Sequence, residues 1–250
     1  MLEIVDIHKE FDGLKVLNGV SLEVKKGHVV GLIGPNGSGK TTLFNVIAGV
    51  YKPTGGKILL DGEPVHGLKP DQLYRKGLVR TFQIPRPFRN LTVLDNLLLA
   101  SRNQRGEKFA RVFNFTKWKM QERELVEKAE KTLELINLIH LQDEYAGNLS
   151  GGQLKLLELG RALMSDPKIL LLDEPAGGVN PTLAMKLFAK IDELAHLKNL
   201  TFFIIEHRME TLLNYSDYMF VLYKGRVIVE GKPQEVMEDE KVIEVYLGEL

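Results

Sequence analysis

The chain has 250 residues and no cysteine, which excludes a disulfide framework, a thiolate metal site and a thiol nucleophile. Lys plus Arg number 33 and Asp plus Glu number 33, a net charge of zero; this argues against a dedicated nucleic-acid binder and leaves little repulsion against subunit association. Hydrophobic residues at 44% and charged residues at 26% fit one large α/β domain, or a core with a smaller subdomain, under an ordinary surface.

The opening Met1–Asp6 segment is acidic and lacks the apolar region of a signal peptide. Leu2–Ile7 reads as a strand, followed by a polar turn over His8–Gly13. From spacing, Phe11 is a core residue of a small sheet, although its ring could equally lie against a planar base. Val20, Leu22 and Val24 alternate with polar residues as a half-buried strand. His28–Ile33 is a short buried strand, and Leu43, Val46 and Ile47 keep helical spacing ahead of Gly49.

Between that strand and that helix lies Gly34-Pro35-Asn36-Gly37-Ser38-Gly39-Lys40-Thr41-Thr42, the phosphate-loop pattern in the context it requires. Its glycines let the backbone curl around an anion, with its N–H groups and the helix N-terminus facing the charge. Lys40 reaches the outer phosphates, and the Thr41 hydroxyl suits a magnesium ion.

Lys57–Leu60 is a further strand, and Val79–Gln83 runs into a proline-broken loop at Pro85 and Pro87. Gln83 carries little signal by itself. From Arg89 the pattern turns helical, with Thr92 as an N-cap and a strong amphipathic helix over Glu122–His140. The Phe109–Lys119 stretch mixes aromatic and basic residues; packing within the helical block, a membrane interface at Trp118 and base stacking are its three readings, in that order.

Ser150-Gly151-Gly152-Gln153 reads as a capping box opening a helix, and equally as a second anion site at that helix's N-terminus. Ile169–Leu172 is an apolar strand ending in Asp173 and Glu174. At that place an α/β nucleotide enzyme keeps its metal-linked carboxylate, with a neighbour able to polarise water. Asn180-Pro181 starts a helix, Thr201–Ile205 is a buried strand before Glu206-His207, and a hairpin over 218–230 precedes two short helices. The apolar runs are strand-length, so any role at a membrane requires recruitment by a partner.

Together the phosphate loop, the Leu149–Gln153 pentapeptide, Leu170–Pro175 and a lone His207 after an apolar strand resemble the ATP-binding-cassette ATPase subunits over essentially the whole chain. The resemblance implies an α/β P-loop NTPase core of ABC ATPase type, with a small antiparallel β subdomain and an inserted α-helical subdomain. The core would span 1–84 and 150–250, and the insertion 85–149. It implies ATP and Mg2+ as cofactors and a head-to-tail pair of ATPase subunits. In that pair, ATP lies between the phosphate loop of one copy and Ser150–Gln153 of the other. By the same resemblance Phe11 stacks on adenine, and Gln83 senses the metal, the water and the membrane partner. Asp173 holds the magnesium, Glu174 activates water and His207 contacts the γ-phosphate. Arg80–Gln83, Ala176–Pro181 and Glu206–Arg208 are similar to the branched-chain amino-acid importer ATPases, and Asn180 stands where many cassettes carry Asp. The implied partners are a second ATPase subunit, transmembrane permease subunits and, indirectly, a substrate-binding protein. No nucleic acid is expected, and the implied place is the cytoplasmic face of the membrane. The alternatives are an exporter ATPase for lipid or lipopolysaccharide and a soluble cassette acting on nucleic acid or ribosomes.

Overall fold

The computed structural model describes residues 1–81, 86–102 and 115–247, the side chains of 115–119 excepted. In chain order come β1 (Leu2–Phe11), β2 (Leu14–Val24), β3 (Val29–Ile33), α1 (Lys40–Ile47), β4 (Gly55–Leu60), β5 (Glu63–Pro64), α2 (Pro70–Lys76) and β6 (Leu78–Arg80). Then follow α3 (Val93–Leu98), α4 (Phe115–Leu135), α5 (Gly151–Leu163), β7 (Ile169–Asp173), α6 (Pro181–Lys198) and β8 (Thr201–Ile205). The chain ends with α7 (Met209–Tyr215), β9 (Tyr218–Tyr223), β10 (Arg226–Gly231), α8 (Pro233–Glu238) and α9 (Glu240–Leu247).

Two compact units emerge. The first comprises Met1–Gln83, Lys168–Gly177 and Pro181–Leu250. It contains an antiparallel sheet in the order β2-β1-β4-β5 and a six-stranded sheet in the order β10-β9-β3-β8-β7-β6. In the second sheet only β10 is antiparallel to its neighbour. Every residue of β3, β7 and β8 is buried, which is why these strands read as unbroken apolar runs. Between the sheets, Leu2, Ile4, Ile7 and Val20 share one core with Phe44 of α1 and Phe203 of β8. The two rings lie 5.0 Å apart, and burying each contributes about 2–3 kcal/mol.

Sequence and structure part at several elements. The expected turn at His8–Gly13 is strand as far as Phe11, because His8, Lys9 and Glu10 pair with Asn18, Leu17 and Lys15 across the hairpin. The α2 helix has a single buried residue, Leu73, too little for a periodic signal. The long amphipathic helix spans Phe115–Leu135 rather than Glu122–His140. Its end is a Schellman motif: Asn137 turns left-handed with φ 58°, Leu138 N donates to Leu133 O, and Asn137 N donates to Glu134 O.

The second unit comprises Ile84–Pro167 and Gly178–Asn180. Thr92 caps α3 with a reciprocal box to Asp95. The buried Asn96 amide pins the chain before it, accepting from Phe88 N and donating to the carbonyls of Phe88 and Thr92. Helix α5 meets the end of α4 at Gly160, where a Cβ would stand 3.7 Å from Thr132 Cγ2 of α4 and 2.6 Å from Cδ1 of Ile136, the residue after it. Of the Phe109–Lys119 stretch, only the backbone from Phe115 onward lies within the described residues.

Candidate functional site

Strand register assembles the site. Leu32 of β3 pairs with Ile205 of β8, and Ile205 pairs with Asp173 of β7. The loops leaving the carboxyl ends of these three neighbouring strands therefore start at one level, where open α/β sheets bind their ligands.

The loop after β3 has positive φ at Gly34, Gly37 and Gly39, at 148°, 78° and 107°. A Cβ on Gly34 would fall 2.1 Å from the Leu222 carbonyl oxygen, so the neighbouring strand leaves no room for one; at Gly37 the space is open. Gly39 precedes α1 in a left-handed conformation with no side-chain cap, leaving the first-turn N–H groups to another acceptor. The buried Ser38 hydroxyl has no hydrogen-bond partner among the described residues. Lys40 Nζ donates to Gly34 O at 2.7 Å and to Pro35 O at 3.0 Å. Burial lowers the Lys40 pKa, and the charges of Glu174 and Asp173 oppose that shift. The lysine thus lies within the electrostatic reach of both carboxylates. Orphaned donors around a glycine curl fit a phosphate chain. Thr41 and Asp173 fit magnesium, which takes few protein oxygens and completes its shell with phosphate and water. Among the described residues no group of three or more acidic, His or Cys side chains makes a metal cage of its own.

Glu174 leaves β7 in the left-handed region with φ 49°, its N–H donating to Ile205 O at 2.9 Å. Its Oε1 lies 3.0 Å from His207 Nε2. A carboxylate only accepts, so this contact puts the imidazole proton on Nε2. Glu206, beside it, is 3% exposed and accepts three backbone N–H groups, from Ala176, His207 and Arg208. It ties the loop bearing His207 to the loop that follows Glu174.

The structure thus gathers Gly34 to Thr42, Asp173, Glu174 and His207. Phe11 is not in a core: it ends β1 at 36% exposure, edge-on to Tyr51 at 5.2 Å, with Lys9 Nζ 4.5 Å from its ring. Ser150 to Gln153 belong to the second unit, where they form the expected box: Ser150 N donates to Gln153 Oε1, and Gln153 N donates to Ser150 Oγ. Ser150 and Gly151 are exposed, and no atom approaches a Cβ placed on Gly151. Gln83 lies outside the described residues.

Sequence reasoning passes over three residues that the fold brings to the site, and over Tyr51 beside Phe11. Arg80 donates to Asp173 at 2.8 Å, and Glu206 makes the bracket above. Tyr51 packs on Phe11, and the Tyr246 phenol of α9 meets the Gly34 backbone. Burial raises the Tyr246 pKa and that contact opposes it. Arg80 and Glu206 had a signal, since both stand inside the branch-specific stretches. Tyr51 and Tyr246 had none.

Among the described residues no helix is long and apolar enough to cross a membrane. Residues 17–177 match the ABC transporter family, and residues 226–249 match the branched-chain amino acid ATP-binding cassette transporter family. The chain is 47% identical to the probable branched-chain amino acid transport ATP-binding protein LivG of Methanocaldococcus jannaschii, covering all of this chain and 98% of that protein. It superposes with a TM-score of 0.86, at 45% identity, on the ADP conformation of an ATP-binding cassette of an ABC transporter, covering 99% of this chain and 98% of that one. A bacterial ABC transporter cassette solved as a dimer is 25% identical with a TM-score of 0.75, covering 93% of this chain and 99% of that one.

Proposed function

The chain belongs to the ABC transporter family as an ATP-binding, ATP-hydrolysing subunit, and from that premise we propose that it powers import of branched-chain amino acids. In this reading it sits on the cytoplasmic face of the membrane, and its helical block over 85–149 meets permease subunits fed by a substrate-binding protein.

The nucleotide lies in the loop from Gly34 to Thr42. The loop's N–H groups and Lys40 take the phosphates, and Phe11 takes the adenine. Thr41, Asp173 and Gln83 would hold Mg2+, which would supply charge neutralisation at the phosphate oxygens. Glu174 accepts a proton from the attacking water, and the His207 Nε2–H that holds this carboxylate would pass to the γ-phosphate once the nucleotide is bound. The observation that carries the reading is the 3.0 Å contact of His207 with Glu174, on neighbouring strand ends, within the field of Lys40.

Phosphoryl transfer needs donors fixed where charge spreads over the γ-phosphate oxygens. Ser150 and the amides of Gly151 and Gly152 open a 13-residue helix with an exposed cap, which suits an anion. We assign them to the nucleotide of a second copy, so that ATP closes a head-to-tail pair and hydrolysis reopens it. That a relative was solved as a dimer supports the association of two copies.

The test is a pair of variants. Glu174→Gln removes the base: nucleotide binding persists, turnover falls at least about a hundredfold, and a stable ATP-dependent dimer elutes in size-exclusion chromatography. Ser150→Arg keeps ATP binding by the monomer and loses that dimer when added to Glu174→Gln. Normal turnover in the first, or unchanged pairing in the second, refutes the assignment.

A further inference from the structure

Arg80 joins three elements beneath the proposed magnesium site. It ends β6, in register with Leu171 of β7. Its Nη2 donates to Asp173 Oδ2 at 2.8 Å, and its Nη1 donates to Asn45 Oδ1 at 2.5 Å. The pair is largely withdrawn from water, with the Arg80 side chain 15% and the Asp173 side chain 7% exposed. At that depth each charge depends on the other, because either left alone would be strongly unfavourable.

Asn45 lies on α1 four residues after Thr41, hence one turn along the same helix face. The bridge Asn45–Arg80–Asp173 therefore runs alongside the bridge that a cation would make between Thr41 and Asp173. A guanidinium is planar and forked: once Nη1 is fixed on Asn45, the direction of Nη2 is fixed too, and with it the carboxylate oxygen it holds. An ammonium group carries the same charge without that fork.

We propose that Arg80 is a positioning residue for the divalent cation: it takes Asp173 Oδ2 and, anchored on Asn45, leaves Oδ1 for the cation that Asp173 and Thr41 would hold. The inference rests on the reading of Asp173 as a cation ligand. It sets Arg80 apart from the residues that hold the phosphates themselves, so nucleotide binding without metal should not depend on it.

Binding of a fluorescent ATP analogue, measured in EDTA and in saturating Mg2+, separates the two. The readout is the factor by which Mg2+ tightens binding. In Arg80→Lys that factor falls about tenfold, the order seen when groups supporting a metal ligand are lost, while affinity in EDTA stays within about twofold. Asn45→Ala leaves the ion pair in place and shifts the factor in the same direction by about threefold, which keeps the test available if the buried substitution does not fold. An unchanged factor in both variants overturns the proposal, as does an equal loss of affinity in EDTA, which would mark general damage to the loop. Asp173→Asn is the control. If it abolishes the magnesium effect while Arg80→Lys and Asn45→Ala do not, only the role of Arg80 is lost. If it leaves the effect intact, the reading of Asp173 fails and the proposal falls with it.

Discussion

The carboxyl group of Glu206 accepts three main-chain N–H groups while almost wholly buried, so its place is fixed from three directions. Replacing it with Ala leaves those donors without an acceptor and loosens the loop that presents His207. Glu206→Ala should lower unfolding free energy by about 3 kcal/mol in urea titration, with a larger relative loss in hydrolysis than in nucleotide affinity. Bonds of this kind mark the limit of what can be read from the chain alone. The phosphate loop and the Ser150 cap are legible because their partners are a few residues apart. Arg80 and Asp173 are separated by 93 residues, and Ala176 and Glu206 by 30; only strand order brings them together. Phe11 misleads for a related reason. Spacing predicts burial, but β1 runs on past the expected turn and has outrun the core by its last residue, and the ring rests on Tyr51 instead.

At the level of elements, α6 carries a titrating group near its end. His196 in its last turn is held above its ordinary pKa by a hydrogen bond to the Asp192 carbonyl, aided by the Asp217 and Asp192 carboxylates and opposed by partial burial. A raised folded pKa favours the protonated form. The stabilisation is therefore complete below the unfolded value of about 6.5 and disappears as pH rises through the higher folded value. Because the side chain is half exposed, screening limits it to on the order of a few tenths of a kcal/mol. Thermal melts should show His196→Gln less stable than the parent at pH 6 and equal to it at pH 8.5. Helices and strands with a wide buried face were legible, including α6 and the runs β7 and β8. What escaped was α2, with its lone buried Leu73, and the true end of α4, decided by one left-handed asparagine.

On the scale of the whole molecule, the first unit supplies the phosphate loop, both carboxylates and His207, and the second supplies the Ser150 cap. If the working engine is a head-to-tail pair, two surfaces far apart in sequence must meet across copies. The absence of native cysteine makes this direct to test. Asn36 is exposed in the loop and Gly151 is exposed at the helix start. Carrying Asn36→Cys and Gly151→Cys together in a Glu174→Gln background, the protein should form a disulfide-linked dimer on oxidation with ATP and far less without it. Equal cross-linking in both conditions would contradict ATP-driven pairing.

Gly34 is glycine because of β9 rather than because of ATP: the Leu222 carbonyl occupies the place a side chain would need. At position 37 the fold itself asks only for a left-handed backbone, which Asn or Asp tolerates, and any further demand for glycine comes from the phosphates. A descendant that had lost its taste for triphosphates would still keep the former while the latter drifted. A pattern search anchored on position 34 would then report a working motor where only its chassis survived.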